Sequence, residues 1–315
     1  MSGSGNSCVL VYDVGGSHIS AAVCSAGDYR LGPVVHIPHA DRDSSDAFIN
    51  ALALLAEQAN SDASEVAGAS VAMPGPFDYA QGVSWMRHKL PYLYGVNLGR
   101  EFAVRMGWQP NQVRFLNDAA AFLLGEVGAG SAKGLSRVVG ITLGTGIGSA
   151  FAINGEIQSA GVGVPAGGEI WNLPFEGETV EDLISTRSIK KSYNDRAGYD
   201  REVAAIATGA ANDPVAAEVF AQFGRDLGRV LGSLLRDFAP DAVVLGGGIS
   251  RSANLFLPSA QRELEGTAMQ LRISALGDKA PLAGAGVAWF AASSSEAPSL
   301  AEETAPAGAK EPGAA

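Results

Sequence analysis

One local pattern occurs twice and limits the fold more than any other feature. The apolar runs Cys8-Val-Leu-Val-Tyr12 and Ile19-Ser-Ala-Ala-Val23 are separated only by Asp13-Val-Gly-Gly-Ser-His18. Much later, Arg137-Val-Val-Gly-Ile-Thr142 and Ser149-Ala-Phe-Ala-Ile153 are separated only by Leu143-Gly-Thr-Gly-Ile-Gly148, and Asn154-Gly155 closes the second copy. Short apolar runs on either side of a glycine turn predict paired antiparallel strands, and Asn-Gly is a strong hairpin signal. Two copies of one unit predict two similar halves. Amphipathic stretches alternate with the strands, which places the chain in the α/β class.

Other elements follow from spacing. A helix is predicted over residues 48–60, a strand over 66–72 running into Met73-Pro-Gly-Pro76, and a strand over 113–116 followed by a helix from Asp118. Asp213-Pro214 is an N-cap with proline at the first helical position. Behind it, Val215, Val219, Phe223, Leu227, Val230, Leu231, Leu234 and Phe238 keep helical spacing. Gly224, Gly228 and Gly232 recur on that helix, which predicts close backbone approach to a neighbouring element. A strand over 242–245, the run Gly246-Gly-Gly248 and a helix from about Ser252 complete the pattern. Residues 293–315 are mostly Ser, Ala, Pro and Glu with one Leu and no aromatic, so they are expected to stay disordered.

Composition excludes several classes. The formal net charge is −11, and nucleic-acid binding needs clustered Lys and Arg, so none is expected. Cys8 and Cys24 are too few for a Cys-rich zinc site. No apolar run reaches the roughly 18 residues of a membrane span. Residues 1–7 lack the basic region of a signal peptide, so a cytoplasmic location is expected. All four His (18, 36, 39 and 88) lie in the first third, which disfavours a Ser-His-Asp hydrolase built on both halves.

The glycine turns are where chemistry is expected. Gly144-Thr-Gly-Ile-Gly148 is followed by a strand pattern, not a helix, so it is no dinucleotide fingerprint, and no P-loop motif occurs. Its backbone N–H groups can nest an anion, or simply make a tight hairpin. Asp13 can hold Mg²⁺ through water, or fix its own turn. Asn117-Asp118 can cap the next helix. It can also place two polar side chains at a strand's C-terminal end, where α/β proteins bind ligands and an Asp can act as general base. Glu169, Asn172 and Glu181 add hydrogen-bonding groups that suit a sugar.

Taken together, Asp13-Val-Gly-Gly-Ser17, Pro74-Gly-Pro76, Asn117-Asp-Ala119, Leu143-Gly-Thr-Gly-Ile-Gly148, Glu169-Ile-Trp-Asn172, Glu181-Asp-Leu-Ile-Ser185 and Leu245-Gly-Gly-Gly248 resemble the motifs of the ROK family of sugar kinases and repressors, within the actin-like ATPase superfamily. The resemblance spans about residues 8–291. It implies a two-lobed actin-like, ribonuclease H-like fold: a small lobe over 1–117 completed by a helix near 280–292, and a large lobe over 118–279. Between them it implies ATP, Mg²⁺ and a hexose, with glucose O6 phosphorylated and Asp118 as general base. Asn117, Glu169, Asn172, Glu181, Pro74 and Gly75 are implied on the sugar side. Gly15, Gly16, Ser17, Gly144, Thr145 and Gly146 are implied as the phosphate cradle, Gly246, Gly247 and Gly248 on the adenosine side, and Asp13 on the metal. A homodimer is implied as well.

Two departures narrow the expectation. Trp171 and Asn172 stand where many members have Gly-His, and the Cys-rich zinc loop is missing, so a zinc-free variant is expected. The segment 77–95, with Trp85, His88, Tyr92 and Tyr94, either caps the sugar or forms a surface flap or subunit contact. Fructose, mannose or an N-acetylated amino sugar as acceptor, polyphosphate as donor, and a catalytically silent sugar-binding regulator are the alternatives.

Overall fold

Each of the two hairpins seeds its own sheet. The computed structural model describes residues 8–16, 18–38, 43–60 and 65–295. In the first half, β1 (Cys8–Val14), β2 (His18–Ser25) and β3 (Val35–Pro38) lead through α1 (Ser45–Ala59) to β4 (Ala69–Met73). A small hairpin of β5 (Phe77–Asp78) and β6 (Val83–Ser84) precedes α2 (Leu98–Met106) and β7 (Val113–Asn117). The second half begins with α3 (Asp118–Ala129), then β8 (Arg137–Leu143), β9 (Ile147–Ile153) and β10 (Glu156–Gln158). A second small hairpin, β11 (Pro174–Phe175) and β12 (Glu178–Thr179), leads into α4 (Val180–Leu183), α5 (Thr186–Ala197), α6 (Val203–Gly209) and α7 (Pro214–Leu234). β13 (Ala242–Gly246), α8 (Ala253–Glu263), β14 (Gln270–Ile273) and α9 (Ala280–Ser295) finish the described chain.

The sheets share one plan. The first has the order β3-β2-β1-β4-β7 and the second β10-β9-β8-β13-β14. In each, three antiparallel strands meander and two parallel strands follow beside the first. The duplication read from the glycine turns is therefore a duplication of whole sheets. Boundaries shift slightly. β1 runs on to Val14, so Asp13, expected at the end of the strand, lies inside it, opposite Ser20 and Ala72.

Each sheet has its own core. Tyr12, Phe48, Leu52 and Phe102 are buried on the first, and the Tyr12 hydroxyl donates to the Leu52 carbonyl at 3.0 Å. On the second, Phe151, Phe220, Phe223, Leu227 and Phe256 are buried together. Burial of each such side chain is worth about 1.5–3 kcal/mol. Helix α7 starts as its sequence predicts, with Asp213 Oδ1 accepting from Val215 N and Ala216 N at 3.0 and 3.2 Å. The close approach predicted for its glycines is to α8: a Cβ on Gly224 would lie 2.2 Å from the Phe256 carbonyl oxygen.

Helices α3 and α9 join the halves. Ala119, Phe122 and Leu123 of α3 pack with Val138 and Val244 of the second sheet. Leu282, Ala285 and Trp289 of α9 pack with Val9, Val11 and Cys24 of the first. The two helices cross at glycines: a Cβ on Gly125 would lie 2.1 Å from the Ala280 oxygen, and one on Gly284 1.7 Å from the Ala121 oxygen. Glu126 is fully buried at the far end of α3. Its carboxylate accepts from Ser131 N and Oγ, Ser274 Oγ, Ala275 N and Leu276 N. Burial alone would oppose its charge, but these hydrogen bonds outweigh it and hold the carboxyl below its ordinary pKa.

Helix α9 continues to Ser295, past the point where the disordered tail was expected to start, and residues 296–315 lie outside the described residues. Among the described residues no helix is long and apolar enough to cross a membrane.

Gly284→Ala tests the crossing. A methyl group inside van der Waals contact of a backbone oxygen forces the helices apart, so a loss of about 3 kcal/mol is expected. The check is urea unfolding, where the midpoint should fall sharply. An unchanged midpoint would mean the helices do not approach this closely.

Candidate active site

The end of β7 and the start of α3 form one hinge of backbone, and Asn117 makes it. Its Oδ1 accepts from Ala119 N at 2.9 Å and Ala120 N at 3.1 Å, satisfying two of the helix's orphan donors. Its amide nitrogen donates to the Tyr79 hydroxyl at 3.2 Å, and that hydroxyl donates onward to the Met73 carbonyl at 3.1 Å. Because Asn117 does the capping, Asp118 keeps most of its acceptor capacity. It takes the Ala119 N–H, at 2.9 Å, and its own main-chain N–H.

Asp118 is a partly buried carboxylate among charges of both signs. Burial raises its pKa, the Lys89 ammonium and two backbone N–H groups work against that, and the Glu169 carboxylate adds to the rise. Asp13 faces the same space from β1. Burial first, then the charges of Asp118 and Asp278, push its carboxyl up to about 7. Side chains from both halves thus come within electrostatic reach of one another there: Asp13 and Lys89 from the first, Asp118, Glu169 and Asp278 from the second.

The two glycine turns sit at corresponding places in their sheets. Gly15 N donates to the His18 carbonyl at 3.0 Å, and Gly144 N to the Gly146 carbonyl at 3.2 Å. Ser17 lies outside the described residues. Glu181, implied on the sugar side, also reaches the second glycine turn. Its Oε2 accepts from Ile147 N at 3.1 Å, so it closes the second glycine turn. Gly246 is buried at the end of β13, whereas Gly247 and Gly248 are exposed ahead of a short turn of helix. Pro74 is buried and Gly75 half-buried beside the Tyr79 hydroxyl.

Glu169 is held by a device with no sequence signal. The buried Ser149 hydroxyl donates to the Gly168 carbonyl at 2.6 Å and accepts from Ile170 N at 3.0 Å, gripping the backbone on both sides of Glu169. Asn172 is exposed nearby. Three contributors to the site went unread in the sequence: Ser149, Tyr79 and Lys89. The last two belong to the segment 77–95, so it does reach the site, but through them. Trp85 and Tyr94 instead pair edge to face at 5.7 Å, with the Arg87 guanidinium over the Tyr94 ring at 4.1 Å.

The arrangement can accept a proton at Asp118, hydrogen-bond a polyhydroxyl ligand, and offer backbone N–H groups to an anion. A divalent cation fits Asp13. That side chain is a carboxylate whose charge is disfavoured by burial and by like charges, and a cation would reverse both effects. It would be a single protein ligand, the kind of site Mg²⁺ shares with water and phosphate oxygens.

Comparison with known proteins bears on the family and the fold. The profile of the ROK family matches residues 9–292. The glucokinase of Thermotoga maritima is 27% identical over 280 residues, covering 80% of this chain and 86% of its own. An N-acetylgalactosamine kinase of a Shewanella species is 27% identical over 270 residues, covering 79% and 85%. The crystal structure of a ROK hexokinase from Thermus thermophilus superposes with a TM-score of 0.77 at 26% identity, covering 91% of this chain and 99% of that one.

Tyr79→Phe isolates the contact between the segment 77–95 and the hinge. It leaves the Asn117 amide and the Met73 carbonyl without their partner, at an expected cost of about 1–3 kcal/mol. Thermal unfolding of the two proteins side by side measures this. Equal melting temperatures would mean the hydroxyl holds nothing.

Proposed function

The chain belongs to the ROK family, and on that premise we propose that it is a sugar kinase that transfers the terminal phosphoryl group of ATP to a hexose hydroxyl, glucose O6 first among the candidates. Asp118 is the general base. Its carboxylate accepts the hydroxyl proton as the oxygen attacks phosphorus, and ADP leaves with the bond electrons. The observation that carries this reading is the division of labour at 117–118: Asn117 caps the helix, and Asp118 remains free to accept a proton.

The remaining residues take supporting roles. Glu169, Asn117, Asn172 and Glu181 bind sugar hydroxyls, with Pro74 and Gly75 lining that side. Carboxylates accept from hydroxyl donors, and their charge disfavours a sugar that already carries an anionic group. Gly15, Gly16, Ser17, Gly144, Thr145 and Gly146 cradle the phosphates, and Gly246 to Gly248 face the adenosine. Mg²⁺ held through water by Asp13 would neutralise charge on the phosphate oxygens. The lobes are 1–117 with α9, and 118–279. Motion of one lobe against the other would exclude water from the reacting atoms. The relatives include both a glucokinase and an N-acetylgalactosamine kinase at the same 27% identity, so the acceptor must be found by assay.

Asp118→Asn is the decisive variant. It keeps the volume and can still hydrogen-bond a sugar, but it cannot take the proton. A coupled ADP assay across glucose, fructose, mannose and N-acetylated amino sugars, with ATP or polyphosphate as donor, should show kcat reduced by about 10²–10⁴-fold. Calorimetry should show sugar binding retained. Full activity in the variant would end the assignment.

A further inference from the structure

Trp171 is bonded at both ends to carboxylate-bearing residues. Its indole Nε1–H donates to Glu169 Oε2 at 3.0 Å, and its main-chain oxygen accepts from Glu181 N at 3.0 Å. Glu181 in turn places its own carboxylate on the glycine turn at Ile147 N. Trp171 is 42% exposed, so it is not spent in a core. Glu169 lies within electrostatic reach of Asp118 and Tyr79, so the pair borders the reacting centre.

We infer that Trp171 is a positioning residue for the acceptor sugar: its indole N–H fixes the Glu169 carboxylate, and its open ring forms a wall against which a neutral pyranose lies. The inference rests on the sugar-kinase reading and deepens it. An exposed glutamate samples many rotamers and must give them up when it binds a ligand. Bonding Oε2 to the indole makes that choice in advance and leaves Oε1 free to accept from a sugar hydroxyl. The flat apolar face of an indole suits the C–H face of a pyranose, while its N–H end stays with a polar partner. Glycine at this position could supply neither the donor nor the face.

The test compares Trp171→Phe, which keeps a ring and removes the donor, with Trp171→Ala, which removes both, in the full-length protein. With the best acceptor found, Trp171→Phe should raise the sugar KM about five- to tenfold and Trp171→Ala more, each with a smaller loss in kcat. The KM for ATP should not move in either. Sugar titration should change tryptophan emission in the parent protein and lose that change in Trp171→Phe. A sugar KM and an emission response that both survive in Trp171→Phe overturn the inference while leaving the kinase reading intact. A parent protein that releases no ADP with any sugar overturns both.

Discussion

Everything in this molecule hangs on one contact between two helices. At Gly125 and Gly284, α3 and α9 come so close that backbone meets backbone. Each helix is packed on a different sheet, α3 on the second and α9 on the first. Their crossing therefore fixes how the two halves meet. It also fixes Asp118, because Asp118 is the first residue of α3. The helix is restrained at three points. Asn117 caps its start and is itself held by Tyr79. The glycine crossing holds its middle. The buried Glu126 carboxylate ties its far end to Ser131 and to the turn at Ser274–Leu276, just ahead of α9. The general base proposed for Asp118 would need such a rigid mount.

Charge around that mount has its own logic. Asp118 and Asp278 raise the pKa of Asp13, Glu169 raises that of Asp118, and Lys89 is the cation that counters the rise at Asp118. A cluster of carboxylates left without cations costs stability. It becomes favourable when ligand hydroxyls donate to it and a bound cation offsets it. Glu126 shows the contrast, since enough N–H and O–H donors surround it to keep it charged inside the protein. Carboxylate charge is thus disfavoured around Asp118 and satisfied at the far end of α3.

Much of the fold is legible in the sequence because it is written as local periodicity. The strand–glycine–strand repeat announces both sheets. The glycines at 224 and 228 announce a tight helix contact, which is with α8. The Asn117-Asp118 pair can be read either as a cap or as a chemical group, and the structure assigns the cap to Asn117. Other features leave no local trace. Ser149 grips residues on either side of Glu169, about 20 positions away in the chain, and looks like any serine in a strand. Tyr79 and Lys89 sit in an irregular segment whose exposed aromatics drew attention from them. Glu181, implied on the sugar side, also closes a glycine turn, because chain folding brings α4 against β9. Asp13 lies inside its strand because the hairpin is tighter than the sequence run suggested.

The central claim is that the helix crossing sets Asp118 between a sugar and a nucleotide. The most direct measurement is a crystal structure of the full chain with the preferred hexose and a non-hydrolysable ATP analogue bound together. The account predicts one sugar hydroxyl within hydrogen-bond distance of the Asp118 carboxylate and the terminal phosphate against the turn at Gly144–Gly146. A hexose with no hydroxyl near Asp118, or a nucleotide seated away from both glycine turns, would contradict it.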